Sequence, residues 1–178
     1  MSANRVALLR GINIGSRQRV SMPDLRALME ELGHTDVETL VQSGNVVFTS
    51  RAKPATLEKQ LEEAIEEKLG VDPKVVVRTR DELAAAIDAS PFKVPDDPKN
   101  LHVTFLSAKP DAAAVKRLGE AELGPDEIVF KDREIYILYV NGMGRSELAK
   151  QLGRAKLGVA ATDRNWNTVT KLLEMCDA

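Results

Sequence analysis

Apolar positions in the first ninety residues change period several times, and each change marks a predicted element. Residues 5–10 form a nearly continuous apolar run, typical of a strand buried on both faces. Apolar side chains recur every three or four positions in 25–32 and 57–69, which predicts two amphipathic helices. Further strand-like runs occupy 37–41, 46–49 and 74–78. The predicted order is βαββαβ, a split βαβ or ferredoxin-like unit.

Local signals predict where the helices begin and end. Ser21, followed by Pro23 and Asp24, is typical of a capped helix start. Gly70 is a stop signal after the second helix. Thr79 and Glu82 predict a capping box for a third helix. The acidic residues at 62, 63, 66 and 67 are predicted to lie on the solvated face of the second helix.

A similar order of predicted strands and helices recurs after a proline-rich stretch. Residues 101–106 predict a strand, a helix starts after Pro110, and 128–130 with 135–140 predict a hairpin followed by another helix. We therefore predict an α+β protein with two ferredoxin-like halves, whose helices pack on antiparallel-containing sheets. The predicted boundaries are 1–90 for the first subdomain with a connecting helix, 91–100 for a linker, and 101–178 for the second subdomain with a C-terminal helix.

Composition narrows the class of protein. A chain of 178 residues that is 43% hydrophobic can bury a full core. No apolar run approaches the roughly 20 residues that span a bilayer, and no signal-peptide core is present, so we expect a cytoplasmic protein with no membrane partner. Cys176, the single cysteine, excludes an internal disulfide framework, and we predict a packing role for it.

Neither histidine is surrounded by ligands at metal-binding spacing. We therefore predict no metal site, and we interpret His34 and His102 as structural or solvent-facing.

Three stretches depart from the apolar pattern: Leu9 to Gly15, Gln42 to Asn45, and Thr162 to Thr168. The third holds the only tryptophan among polar residues, a composition that core packing does not explain. We interpret the three stretches as parts of one site. Its predicted ligand-binding residues are Arg10, Gly11, Asn13, Gly15, Ser43, Asn45, Arg164, Asn165 and Trp166.

Charge favours an anion at this site. The net charge of −2 argues against a strongly basic nucleic-acid-binding protein. However, residues 1–28 carry five arginines against one aspartate, and 140–171 carry six basic residues against two acidic ones, a local charge of +4 in each. The loop 11–19 lies between a predicted strand and helix, where backbone N–H groups can hold a phosphate. It matches neither a P-loop nor a dinucleotide fingerprint.

Structural interpretations of the same residues remain open. The glycines of the loop 11–19 are also what a turn with positive φ requires, and Gly44 with Asn45 is ordinary turn chemistry. Asn167 is a candidate N-cap for the final helix, with Trp166 packing beside it. Ser43 has no base nearby, so the sequence does not support a role for it as a nucleophile. The sequence identifies neither a reaction nor a cofactor.

The motifs together resemble a known family. Ala7 to Gly15, Gln42 to Phe48, Leu101 to Leu106 and Thr162 to Val169 resemble, in this order, a bacterial family known as domain of unknown function 1697. The resemblance covers essentially the whole chain. It implies an α+β fold and no established activity.

The sequence is compatible with three functions. The first is binding of a small anionic or nucleotide-like ligand, with Arg10, Asn45 and Arg164 converging in one pocket. The second is a nucleic-acid-binding module, since ferredoxin-like sheets serve that use. The third is a structural or interaction protein without catalysis. Ligand identity, catalysis and oligomeric state do not follow from the sequence.

Overall fold

A computed structural model describes residues 3–178. The chain divides into two compact units: the first runs to Asp88 and includes Thr170–Ala178, and the second is Ala89–Val169. The sequence assigned the whole C-terminal helix to the second subdomain, whereas the observed division gives residues 170–178 to the first unit. One contact in the first unit that holds this segment is an ion pair of Arg80 Nε and Asp177 Oδ1 at 2.8 Å.

The described residues form eight strands, six α-helices and two short 3-10 helices, Pro98–Asn100 and Met143–Arg145. In chain order the strands and α-helices are β1 (Arg5–Arg10), α1 (Met22–Glu31), β2 (Thr35–Leu40), β3 (Asn45–Thr49), α2 (Pro54–Leu69), β4 (Lys74–Thr79), α3 (Arg80–Asp88), β5 (Leu101–Leu106), α4 (Ala112–Glu120), β6 (Glu127–Lys131), β7 (Glu134–Leu138), α5 (Glu147–Arg154), β8 (Ala161–Asn165) and α6 (Trp166–Asp177). No helix among residues 3–178 has the length and apolarity needed to cross a membrane.

The first unit is a four-stranded sheet in the order β2-β3-β1-β4, and all neighbouring strands are antiparallel. Alternate residues of its central strands, such as Leu9 and Phe48, pack against the apolar stripe of α2. That stripe includes Leu57, Leu61 and Ile65, all buried as the helical spacing predicted. The split βαβ arrangement follows, because β3 lies between β1 and β2.

The predicted helix ends are confirmed. Ser21 Oγ accepts a hydrogen bond from the Asp24 N–H at 3.1 Å. Glu82 Oε2 accepts from the Thr79 N–H at 2.8 Å, and Thr79 Oγ1 accepts from the Glu82 N–H at 3.0 Å, so the capping box is reciprocal. Gly70 ends α2 with a φ of 72°, in the left-handed region that suits glycine.

The prediction for one acidic residue of α2 was wrong. Glu62 is not on the solvated face, because its Oε1 accepts a hydrogen bond from the Val75 N–H at 3.0 Å. Glu58 does the same for Val77 at 2.9 Å. Strand β4 is an edge strand, so these N–H groups have no neighbouring strand to pair with. The two glutamates satisfy them, which sequence periodicity does not reveal.

The second unit repeats the arrangement with the order β6-β7-β5-β8, again antiparallel throughout. Its core includes Leu106, Ile135 and Ile137 of the sheet with Leu118 and Leu148 of the helices. The prediction of an α+β protein with two split βαβ halves is confirmed. Strand β8 was not predicted, because its sequence ATDRN is polar and pairing with β5 holds it in the sheet.

The start of the final helix also differs from the expectation. Asn165 Oδ1, not Asn167, accepts the capping hydrogen bond, from the Thr168 N–H at 3.1 Å. Helix α6 therefore begins at Trp166, two residues earlier than a cap at Asn167 would place it.

Candidate functional site

In the first unit, the side chain of Asn13 holds the loop 11–19 in shape. Its Nδ2 donates to the carbonyl oxygens of Val20 at 2.9 Å and Gln42 at 2.7 Å, and its Oδ1 accepts from the Val20 N–H at 2.9 Å. Its backbone N–H donates to the Gln18 carbonyl at 2.8 Å. Asn13 therefore closes the loop and ties it to the turn between β2 and β3.

The turn of residues 41–44 lies directly against the loop and β1. Gly44 has a φ of +89°, and a Cβ there would come within 2.7 Å of Ile12 Cδ1 and 2.9 Å of Leu9 Cβ. Only glycine fits this approach without a shift. Asn45 is buried, and its Nδ2 donates to the Leu40 carbonyl at 2.8 Å and to Ser43 Oγ at 3.2 Å.

The first unit thus brings together six of the nine predicted site residues. Arg10 ends β1, Gly11, Asn13 and Gly15 belong to the loop, and Ser43 and Asn45 flank Gly44. The side chains of Asn13 and Asn45 hold backbone groups, so they position the loop and the turn.

Cations line the outside of this loop. Arg10, Arg17 and Arg19 are exposed, and Arg19 Nη1 donates to the Gly15 carbonyl at 3.0 Å. Within residues 3–178, no carboxylate oxygen lies within 4.0 Å of the Arg17 or Arg19 guanidinium. Nor do the backbone N–H groups of Gly15 and Ser16 donate to any group of that part of the chain. The loop therefore presents donors and positive charge to solvent.

In the second unit, four polar residues form a block on one face of the sheet. Thr104 lies opposite Asp163, and His102 lies opposite Asn165, in the register of β5 and β8. Because side chains alternate along a strand, all four share the face that carries Leu106 and the rest of the core.

Three members of this polar block are hydrogen-bonded in series. Thr104 Oγ1 donates to Asp163 Oδ1 at 2.8 Å, and His102 Nδ1 donates to Asp163 Oδ2 at 2.6 Å. The His102 ring also meets the Tyr139 ring edge-on, with centroids 4.9 Å apart. Burial, followed by the charges of Asp163 and Asp126, raises the pKa of Tyr139 above its usual value, so that its phenol stays neutral.

Sequence reasoning missed the pairing of His102 with Asp163, because these residues are 61 positions apart. The available signal was alternation. Polar residues at 102 and 104, and again at 163 and 165, each follow the period of two that places side chains on one face of a strand.

Of the other predicted residues, Asn165 belongs to this polar block, and Arg164 and Trp166 are its neighbours in the chain. Arg164 lies opposite Val103 on the other face of the sheet, and its Nη1 donates to the Asp163 carbonyl at 2.8 Å. Burial lowers the pKa of Arg164 to about 10, while the charge of Asp163 acts in the opposite direction. Arg164, Asn165 and Trp166 belong to the second unit and the other six to the first. Their convergence on one ligand stays a prediction.

A cavity of about 400 Å³ lies in the second unit, lined by Pro125, Asp126, Asn141, Gly142, Arg145 and Glu147. Asp126 shapes it, since its carboxylate accepts from the Val140 N–H at 2.7 Å and from Ser146 Oγ at 2.5 Å. One arginine and two carboxylates line this cavity, so its charge favours neither an anionic nor a cationic ligand. Residues 3–178 contain no cluster of three or more His, Cys, Asp or Glu side chains arranged to hold a metal ion.

The family profile described as Protein of unknown function (DUF1697) matches residues 2–136, more than half of the chain. The chain belongs to the DUF1697 family. A solved structure described as the conserved bacterial protein SP0830 from Streptococcus pneumoniae is similar to this DUF1697 chain, with 23% sequence identity, a TM-score of 0.81 and coverage of 99% of each chain. That likeness shows the fold. A search of curated proteins found no match.

Proposed function

We propose that this DUF1697 protein binds a small anionic ligand, such as a phosphate or a nucleotide, at the loop 11–19. The observation that carries the proposal is the exposed pair Arg17 and Arg19, which has no carboxylate partner within residues 3–178 and lies beside the N–H groups of Gly15 and Ser16. Guanidinium groups and backbone N–H groups are the donors that proteins use for phosphate oxygens.

The bracing of the loop supports the same proposal. Asn13 fixes the loop through backbone groups of Val20 and Gln42, and Gly44 brings the turn into contact with it. A loop that is already ordered loses less conformational entropy when a ligand binds. In this proposal Asn13, Ser43 and Asn45 position the site, and Arg10, Arg17 and Arg19 contact the anion.

The test is calorimetric titration of the full chain with pyrophosphate and with ATP at low ionic strength. The double substitution Arg17→Ala with Arg19→Ala is expected to weaken binding by about 10-fold or more, because each charge-assisted bond contributes about 1.5 to 3 kcal/mol. Arg51→Ala is the matched control, since Arg51 is an exposed arginine of the same unit outside the loop. Equal affinities for the double variant and the control would refute the proposal.

A further arm tests whether one ligand engages both units. Arg164→Ala is expected to weaken binding of the same anion if the nine predicted residues share a ligand, and to leave it unchanged if the loop acts alone. A gel-shift series with single-stranded RNA and DNA separates the nucleic-acid alternative. An association constant whose logarithm falls steeply and linearly with the logarithm of the salt concentration would favour a polyanion over a small ligand.

A further inference from the structure

We propose that His102, Asp163 and Asn165 of the second unit form a hydrolytic site for carboxylic esters, in which His102 is the general base. The inference rests on the polar block on β5 and β8 and is independent of anion binding by the loop 11–19.

The hydrogen bonds fix the tautomer of His102. An ionised carboxylate only accepts, so Nδ1 carries the proton that it donates to Asp163 Oδ2 at 2.6 Å. The other carboxylate oxygen accepts from Thr104 Oγ1 at 2.8 Å, which holds the Asp163 side chain in place. In the neutral ring this arrangement leaves the lone pair on Nε2, the nitrogen that takes up a proton in histidine general bases.

The Nε2 atom is reached by solvent. His102 is 9% exposed, so most of the ring is covered. Nε2 makes no hydrogen bond within residues 3–178. It is also not among the side-chain atoms of these residues that are both fully buried and without a partner. It therefore retains contact with water. A base whose ring is mostly covered but whose Nε2 touches water can take a proton from a water molecule there.

Asn165 supplies the second component of the proposed site, a hydrogen-bond donor for the oxyanion. It lies directly opposite His102, and such cross-strand Cβ atoms are about 4.5 to 5.5 Å apart. Its Oδ1 is held by the Thr168 N–H at 3.1 Å, so the orientation of the amide is fixed. Its Nδ2 donates to no group of residues 3–178. Since this atom is not among the fully buried atoms without a partner, it also reaches solvent. Fixed amide N–H donors beside a base stabilise the oxyanion that forms when water attacks a carbonyl.

The reaction balances without a cofactor. Nε2 removes a proton from water as the water oxygen bonds to the ester carbonyl carbon, and the carbonyl electron pair moves onto oxygen, where Asn165 Nδ2 donates. Collapse of this intermediate reforms the carbonyl and breaks the bond to the alcohol oxygen. The imidazolium returns its proton to the departing alkoxide, so an ester and water give an acid and an alcohol.

A purely structural role explains the polar block less well. The register of β5 and β8 is already set by their backbone ladder and by buried residues of the other face, such as Val103 and Phe105. Polar side chains on a core-facing surface cost desolvation free energy unless they are paired. Pairing accounts for Thr104 and Asp163, but it does not require a histidine with an open nitrogen beside a fixed amide.

The test measures hydrolysis of p-nitrophenyl acetate by the full-length protein. Wild type is expected to turn over, and both His102→Ala and Asp163→Asn are expected to lower kcat/KM by about 10² to 10⁴-fold. Asn165→Asp keeps the helix-capping oxygen but removes the amide donors, and it is expected to lower kcat by about 10² to 10³-fold. His34→Gln is the control and should leave the rate unchanged, since His34 lies in the first unit.

Two results would overturn the proposal. One is a wild-type rate no greater than that of free imidazole at the same concentration, a measurement that needs no variant to fold. The other is a folded His102→Ala protein, verified by its circular dichroism spectrum, that retains the wild-type rate. Neither result bears on pyrophosphate or ATP binding by the loop 11–19, so the two proposals fail separately.

Discussion

The two units share one topology and differ in what their polar side chains hold, and the two histidines show the difference. His34 of the first unit donates from Nε2 to Gln60 Oε1 at 3.0 Å and packs against Phe48. His102 of the second unit donates from Nδ1 to the carboxylate of Asp163. One ring is joined to a neutral amide and the other to a charge. The same split βαβ scaffold thus carries one histidine bonded to an amide and one bonded to a carboxylate, and only the second is proposed to transfer protons.

The polar groups at the loop, turn and sheet edge of the first unit contrast with the polar block of the second. In the first unit Asn13, Asn45, Glu58 and Glu62 all satisfy backbone groups of a loop, a turn or a sheet edge. In the second, the residues of the polar block bond mainly to one another. Side chains that bond to backbone groups contribute to stability. A side-chain network whose polar atoms reach solvent can also bind or react with a ligand. Substitutions in the two units should therefore change different observables.

The largest expected effect tests whether the core of the first unit lies where the pattern places it. Leu61 is 1% exposed on the inner face of α2. Leu61→Ala is expected to lower the free energy of unfolding by about 2 to 5 kcal/mol, because it removes buried apolar surface and leaves a cavity. Urea denaturation measures this, with the exposed Lys59→Ala on the same helix as control. A loss below about 1 kcal/mol would place Leu61 outside the core.

The next prediction concerns the turn that braces the loop 11–19. Gly44→Ala is expected to cost about 2 to 4 kcal/mol, since its positive φ and the contacts with Ile12 and Leu9 both oppose a Cβ. Gly119 in α4 has neither restriction. Gly119→Ala should instead stabilise the protein by about 0.5 to 1 kcal/mol. Thermal unfolding of the two variants side by side checks the opposite signs, and equal shifts would contradict the account.

A smaller effect compares two threonines of the second unit. Thr104 donates to Asp163, so Thr104→Val is expected to cost about 1 to 2 kcal/mol. The hydroxyl of Thr162, by contrast, is buried without a hydrogen-bond partner in residues 3–178. Thr162→Val should therefore be neutral or stabilising. If chemical denaturation ranks the two variants in the reverse order, the hydrogen bonding of the polar block is wrong.

The smallest expected effect lies at the exposed end of α6. The hydrogen bond from Arg80 holds the pKa of Asp177 below its usual value. A lowered carboxyl pKa adds stability above the unfolded value of about 3.9, and this stability is lost as the pH falls through the folded pKa. Asp177→Asn should remove that part of the acid dependence and change little near pH 7. Melting temperatures that fall identically in acid for wild type and variant would contradict this.

Local signals predicted most of the fold, and non-local pairing accounts for what they missed. The caps at Ser21, Gly70 and Thr79 each depend on residues a few positions apart, so the sequence predicted those helix ends. Strand β8 carries no apolar pattern of its own, and the edge contacts of Glu62 depend on a strand 13 residues away. For the same reason the sequence singled out Asn165 but neither of its neighbours His102 and Asp163.

One nuclear magnetic resonance experiment tests the contrast between the two histidines most directly. Long-range proton–nitrogen correlation of the imidazole rings distinguishes the two neutral tautomers. In a single spectrum of the neutral rings, we expect the Nδ1–H tautomer for His102 and the Nε2–H tautomer for His34, because of their bonds to Asp163 and Gln60. Asp163→Asn should disturb the first signal and leave the second in place. An Nε2–H tautomer at His102 in the wild-type protein would contradict the general-base assignment.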